Sequence, residues 1–448
     1  MIQPEFVKSP NILVFVSHDT GRWLSPYGAA TVHTPAFERF ASESVMFSEA
    51  FCVSPLCSPS RASLFTSRYP HEVGVMGLVD PQFGWDLNPK SEHLASILSN
   101  FGYECCLCGF LHEVLDCRKL PFDSIIAGPG EGTNRGRSVM EHAGEIDRWL
   151  DSREDGQRPF YLQVGCPETH RDFDRFDAQA DDSKGIEVPE HLHDTDEIRR
   201  DMAQFQGSVK QLDSGFGAIV EVLRQRELLE DTIIIATTDH GVDYPRMKGT
   251  FSDDGLESFL FMRYPNGGWL PGTVVDRPVS HLDILPTLLD QVGIEPASVC
   301  RGRSLLPLLR GECFAWEDSD LFSQKTYHDS YDPTRAVRSC RYKYVRYFEK
   351  SVLDDMRLDT VLRSSWVRES LVRTDDELLF DLENDPREVA NLASEPEHRE
   401  ALLEMRRRLA DQMLETRDPL LQGPIASPVY YKAVNEIQAS RSHHDTVA

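Results

Sequence analysis

The chain has 448 residues, with 47 Lys and Arg against 73 Asp and Glu, a formal net charge of −26. A surface of that sign repels polyanions and argues against general nucleic-acid binding; a small anion stays open, because a metal and a few Arg or Lys in a cleft reverse the field locally. With 40% hydrophobic and 27% charged residues the composition is that of a globular protein, long enough for two or three domains of about 150 residues each.

The stretch Met1 to Pro10 carries no basic region followed by an apolar one, so neither a secretory signal nor a membrane span is expected, and the expected location is cytoplasmic. Asn11-Ile12-Leu13-Val14-Phe15-Val16 reads as a strand buried on both faces, ending at the polar Ser17-His18-Asp19. Open α/β sheets present ligands at the carboxyl ends of their strands, so His18 and Asp19 stand where chemistry is expected. Next comes Cys57-Ser58-Pro59-Ser60-Arg61. Pro59 disfavours helix at Ser58, which gives an extended, readable segment, and Arg61 supplies a fixed cation. The same five residues are also compatible with a buried cysteine before a helix, since Ser58 and Ser60 are acceptable caps.

Further strands are expected at Cys105 to Gly109, Phe160 to Val164 and Thr232 to Thr237, with helices at Glu141 to Trp149 and Arg199 to Arg224 between them. That alternation predicts a mostly parallel sheet covered by helices. The ten cysteines, three of them crowded at Cys105, Cys106 and Cys108, form neither a disulfide framework nor a zinc ribbon and are expected to be reduced. Near residue 318 the texture changes. Ala336 to Tyr347 alternates apolar and polar residues as one antiparallel strand would, Glu377 to Pro386 reads as strand then turn, and a helix follows with Leu402, Met405, Leu409 and Met413 on one face. The expected division is therefore 1–317, 318–422 as a smaller α+β domain, and a surface-hugging or mobile tail at 423–448.

The Cys57 element and its continuation to His71 resemble the sulfatase signature. The opening strand ending at Ser17-His18-Asp19, the Cys57 element, Asp239-His240-Gly241, Val279 to Leu289 and Phe380 to Pro386 occur in the order expected of that family. The resemblance implies an α/β alkaline-phosphatase-like sandwich with a large mixed, mostly parallel sheet, plus the smaller C-terminal α+β domain with an antiparallel sheet. It also implies that a formylglycine-generating enzyme converts Cys57 to formylglycine, the nucleophile, and that one divalent metal assists it. The metal set implied is His18, Asp19, Cys57, Asp239 and His240. Calcium is the family default. His18 falls where the family carries an aspartate, and two imidazoles give weight to manganese or another transition ion.

Around the scissile bond, Gly109-Phe110-Leu111-His112 corresponds to the family's Gly-Lys-Trp-His, so His112 is retained as the base and Phe110 replaces a lysine. His170 and Lys248 match groups that contact the transferring sulfate, with Arg61 beside the nucleophile. The segment Tyr327 to Arg338 looks most like the heparan N-sulfatase branch, which makes His328, Asp329 and Arg335 candidate contacts to a small sulfated or N-sulfated sugar; an interdomain polar network is the competing reading for them. Phosphonate monoester or phosphodiester hydrolysis, and a catalytically inactive binding protein on the same fold, are the alternative functions. Oligomeric state is not legible.

Overall fold

The structure, a computed structural model, describes residues 9–128, 136–153, 158–295, 300–312, 316–328, 330–350, 364–367 and 373–444. In chain order the strands are β1 (Asn11–Ser17), β2 (Val45–Phe51), β3 (Glu104–Gly109), β4 (Ser124–Ile126), β5 (Phe160–Cys166), β6 (Thr232–Thr238), β7 (Glu257–Arg263), β8 (Thr273–Val275), β9 (Val279–Ser280), β10 (Leu321–Tyr327), β11 (Tyr331–Arg338), β12 (Tyr342–Tyr347) and β13 (Glu377–Asp381). The longer helices are α1 (Pro35–Ser42), α2 (Cys57–Thr66), α3 (Leu94–Asn100), α4 (Val139–Ser152), α5 (Asp196–Gln225), α6 (Ile284–Gln291), α7 (Arg399–Glu415) and α8 (Pro428–His444).

Side chains alternate across a strand, and β1 uses that period to feed two cores. Leu13 and Phe15 enter a cluster with Phe37 of α1, Ile146 and Trp149 of α4, and Phe205 and Phe216 of α5. Ile12, Val14 and Val16 point the other way, into a cluster with Leu64 and Phe65 of α2, Leu94 of α3 and Leu285 of α6. All seven residues of β1 are therefore buried, as its unbroken apolar run requires. The large sheet runs β4-β3-β5-β1-β6-β7-β2-β8, with β9 also paired to β2. β1 is parallel to both β5 and β6, while β7 runs antiparallel to its neighbours β6 and β2. This is the mixed, mostly parallel α/β sheet expected, and its central strands end together on one edge.

The second sheet, β10-β11-β12-β13, is antiparallel throughout. Leu402, Met405, Leu409 and Met413 of α7 pack on it against Val337, Tyr344 and Leu379. Each such side chain contributes about 1.5–3 kcal/mol when fully buried. The single strand expected over Ala336 to Tyr347 is instead the facing parts of two strands. The chain reverses after Arg338, where the Ser339 hydroxyl oxygen accepts the Tyr342 N–H at 2.9 Å. An alternating pattern continued on both sides of a three-residue turn and so concealed it. The tail forms α8, whose residues 428–439 are all exposed or half-buried.

Arg335 on β11 is only 2% exposed. Its Nε and Nη2 donate to Asp418 at 2.5 and 3.1 Å, and Nη1 donates to the Lys325 carbonyl at 2.8 Å. The Arg335 guanidinium is thus engaged in a polar network inside the C-terminal unit, which is the competing reading for this residue. Asp418→Ala is expected to lower stability by about 3–5 kcal/mol, because it leaves a buried cation uncompensated, whereas Arg335→Met/Asp418→Leu recovers most of that loss. Urea unfolding of the two variants checks it; a loss under about 1 kcal/mol for Asp418→Ala would show the pair to be dispensable.

Candidate active site

β1 and β6 are adjacent and parallel, with Ser17 opposite Thr238, so the segments beyond them emerge side by side. The Asp239 N–H donates to the Ser17 carbonyl at 3.2 Å, and the Asp19 N–H donates to Asp239 Oδ1 at 2.9 Å. Asp19 takes up left-handed backbone, φ 51°, a conformation that short polar residues tolerate. Gly241 closes the second segment where a Cβ would lie 1.9 Å from the Asp254 carbonyl, so no larger residue fits.

The first turn of α2 is fastened to the same edge. Ser60 Oγ donates to the Asp239 carbonyl at 2.6 Å, Arg61 Nε donates to Asp239 Oδ2 at 2.9 Å, and Arg61 Nη2 donates to the Ser17 carbonyl at 3.1 Å. Ser58 Oγ accepts the Val79 N–H at 3.0 Å. Cys57 is the first residue of this wholly buried helix, and the expected extended conformation at Ser58 gives way to helix. Pro59 is tolerated because it stands in the first turn, where an N–H has no intrahelical partner to lose.

These anchors bring His18, Asp19, Cys57, Asp239 and His240 together, one ligand atom from each lying within 4.8 Å of all the others. His18 Nδ1 is 2.5 Å from Asp19 Oδ1 and 3.2 Å from Asp239 Oδ2. His240 Nε2 is 3.3 Å from Asp19 Oδ1 and 3.3 Å from Cys57 Sγ. All five residues are buried. Around them stand Lys248, whose Nζ is 2.5 Å from Asp19 Oδ2, and His170, whose Nε2 is 3.9 Å from the same oxygen. The His112 imidazole hydrogen-bonds the Cys57 thiol, and its ring lies 5.2 Å from Phe110.

The electrostatics follow from that crowding. Burial works to raise the Asp19 carboxyl, but Lys248, His18, His170 and His240 together hold it well below the ordinary range. Cys57 behaves likewise: burial opposes the thiolate, yet Lys248, His18 and His240 bring its pKa well below that of a free thiol. Burial should lower His240, but Asp239 and Asp19 raise it to about 9. The cluster is therefore an anionic donor set that draws cations to itself, with two carboxylates, two imidazoles and a thiolate-prone sulfur. That set fits a divalent metal ion.

One model of a protein family, named Sulfatase, matches residues 10–294. The chain belongs to the sulfatase family. A second family model, the C-terminal part of N-sulphoglucosamine sulphohydrolase, matches residues 247–360. The chain is 27% identical to the N-sulphoglucosamine sulphohydrolase of Homo sapiens over 92% of both chains. It is also 27% identical to an ulvan-active sulfatase of Formosa agariphila, covering 89% of this chain and 74% of that one. A solved structure of a putative sulfatase from Bacteroides thetaiotaomicron shares the fold, with a TM-score of 0.73 at 23% identity, 94% of this chain and 95% of that one. As a sulfatase the chain is a hydrolase of the sulfuric ester or sulfamate bond.

Of the other residues singled out in the sequence of this sulfatase, His328 lies just past β10, where the Tyr327 N–H donates to the Met76 carbonyl at 2.9 Å. Asp329 lies outside the described residues. Arg335 belongs to the C-terminal network described above. Sequence reasoning missed Glu113, a fully buried carboxylate directly after His112. It accepts the His112 N–H at 2.9 Å and Gln163 Nε2 at 2.7 Å, which fixes the backbone that carries the imidazole. An acidic residue inside Phe110-Leu111-His112-Glu113-Val114 was its only signal. Thr169 was missed as well; its hydroxyl donates to the His18 carbonyl and holds that turn in place.

No cysteine among the described residues forms a disulfide, and no described helix is long and apolar enough to cross a membrane. Two residues before His170, Glu168 is buried with Oε2 unpartnered, while Oε1 accepts the Val139 N–H at the start of α4. Burial raises its carboxyl from 4.5 to about 7. Between those values the folded chain keeps a proton that the unfolded chain releases, so stability falls as pH rises through this window. Glu168→Gln does not titrate and is expected to gain melting temperature relative to the parent on going from pH 5 to pH 8. An unchanged gap at the two pH values would refute the assignment.

Proposed function

We propose that this chain releases sulfate from an O-sulfated or N-sulfated sugar, using formylglycine made from Cys57 by a formylglycine-generating enzyme. The observation that carries the reading is the placement of Cys57 at the start of a buried helix, within one cluster with His18, Asp19, Asp239 and His240. Those four residues and position 57 would hold one divalent ion, calcium on the family's pattern or a transition ion on the donor set. Such an ion supplies Lewis-acid stabilisation of a sulfate oxygen.

The remaining roles belong to the chain's own groups. Arg61 fixes Asp239 and the end of β1, so that the donors keep their positions. Lys248 and His170 offer cationic or proton-donating contacts to the sulfate and the leaving atom, since both side chains face the oxygen Oδ2 of Asp19, at 2.5 and 3.9 Å. His112, next to position 57, would accept a proton from a hydroxyl there as general base, the chemistry that sulfate release from a formylglycine hydrate would need. His328, just past β10, and Asp329 are proposed sugar contacts. An N-sulfated hexosamine is favoured by the match to the C-terminal part of N-sulphoglucosamine sulphohydrolase. The same reading takes residues 1–317 as the catalytic domain, 318–422 as the C-terminal subdomain and 423–448 as a tail, supported by the change from mixed to antiparallel sheet.

A second reading, hydrolysis of phosphonate monoesters or phosphodiesters, draws on the Asp239-His240 pair and on Phe110 standing where a lysine is expected. The test begins with co-expression with a formylglycine-generating enzyme and mass analysis of the peptide spanning Cys57, expected to be lighter by roughly 18 Da. Rates on an N-sulfated glucosamine, an aryl sulfate and an aryl phosphonate then follow. Sulfate release that exceeds phosphonate cleavage supports the first reading. A converted protein that prefers the phosphonate supports the second, and an unmodified thiol with no turnover removes both.

A further inference from the structure

Resting on the sulfatase reading, the geometry points to a metal site specific for a first-row transition ion over calcium, with His18 Nδ1 and His240 Nε2 as its two nitrogen ligands. Both imidazoles are aimed, not merely nearby. His240 Nδ1 lies 2.9 Å from the Gly241 carbonyl, a contact that requires the proton on Nδ1, so Nε2, which faces Asp19 and Cys57, is the nitrogen that gives up its proton to a metal. His18 Nδ1 faces both carboxylates at once, at 2.5 and 3.2 Å. Its ring is held in that pose by Phe110, 4.9 Å away at an interplanar angle of 31°, and by the edge of His170 at 4.6 Å. With the Thr169 hydroxyl also bonded to the His18 carbonyl, main chain and ring are both restrained.

Calcium takes about six to eight oxygen ligands in a loose shell. Here the cluster holds two carboxylates, so at most four of their oxygens, and Arg61 already binds Asp239 Oδ2 while Lys248 binds Asp19 Oδ2. Two nitrogens with two carboxylates are a donor set that manganese, iron, cobalt or zinc accepts and that calcium does not favour. Phe110 is part of the device: a lysine at that place would set a cation against His18, whereas an apolar ring packs on it.

The test is metal binding, read without turnover. Full-length mature protein and Cys57→Ala, the latter so that no leftover thiolate sets the preference, are stripped with a chelator and dialysed against equal concentrations of Ca2+, Mn2+ and Zn2+. Bound metal is counted by elemental analysis. One equivalent of Mn2+ or Zn2+ per chain with calcium excluded is expected, and Co2+ should give visible absorption bands of a nitrogen-containing site. His18→Ala should weaken transition-ion binding at least tenfold, and His18→Asp should shift preference toward calcium. Preferential calcium uptake by the parent, or His18→Ala with unchanged affinity and circular dichroism, overturns the inference; so does a chain that binds none of the ions. If His18→Ala does not fold, the parent's ion preference and Co2+ spectrum decide. A calcium-loaded enzyme that releases sulfate would defeat this inference and leave the sulfatase reading standing. Transition-ion binding without sulfate release from any substrate would do the reverse.

Discussion

Cys57→Ala is expected to lower sulfate release by at least about 10⁴-fold, the order seen when a covalent nucleophile is removed, while the folded state survives. The two halves of that expectation come from different atoms. The thiol is the only part of the residue placed for chemistry, 3.3 Å from His240 Nε2 and hydrogen-bonded by His112. What holds α2 in place is the set of bonds from Ser58, Ser60 and Arg61, none of which involves the Cys57 side chain. Loss of one small buried group costs on the order of 1 kcal/mol, a few degrees of melting temperature at most in a chain of this length. Steady-state rates with circular dichroism check it on protein repurified free of host sulfatases. Residual activity within tenfold of the parent would remove Cys57 from its role.

The parts of this molecule that the sequence made legible are those where one physical rule acts alone. Asn11 to Val16 and Thr232 to Thr237 have no polar interruption, and only a strand buried on both faces accommodates such runs. The His18-Asp19 and Asp239-His240 segments stand out because they follow those strands directly. Reading failed where two rules produce one pattern. Alternation from Ala336 to Tyr347 persists through a hairpin because both strands turn the same period toward α7, so the reversal at Ser339 left no hydrophobic trace. Arg335 stands as a candidate sugar contact only through the family resemblance of Tyr327 to Arg338, beside a polar network as the competing reading; its partner Asp418 lies 83 positions away, and no local pattern records such a pair. Glu113 escaped for the same reason, since Gln163 and His93, which surround its carboxylate, come from other elements. Pro59 pointed away from helix only because the rule for the residue before proline was applied without the rule that the first helical turn accepts proline.

Arg61→Ala is expected to cost about 3–5 kcal/mol of stability, as removal of one partner from a buried ion pair does, and activity should fall by about 10²-fold or more through misplaced ligands. The side chain is 1% exposed and makes three kinds of contact at once. It donates from Nε to Asp239 and from Nη2 to the Ser17 carbonyl, and its guanidinium lies 4.9 Å over the Phe110 ring. One planar group thus ties α2, the end of β1, the segment after β6 and the loop after β3 to a single point. Lysine has one compact charge and no fork, so it cannot make both hydrogen bonds while lying flat on the ring. Arg61→Lys should therefore recover part of the charge compensation for Asp239 and little of the activity. Urea unfolding and rates measured on the two variants separate these contributions. A lysine variant that regained full turnover would show that Arg61 acts through its charge alone, and the placement of Asp19 and Asp239 would then have to depend on the Asp19–Lys248 pair.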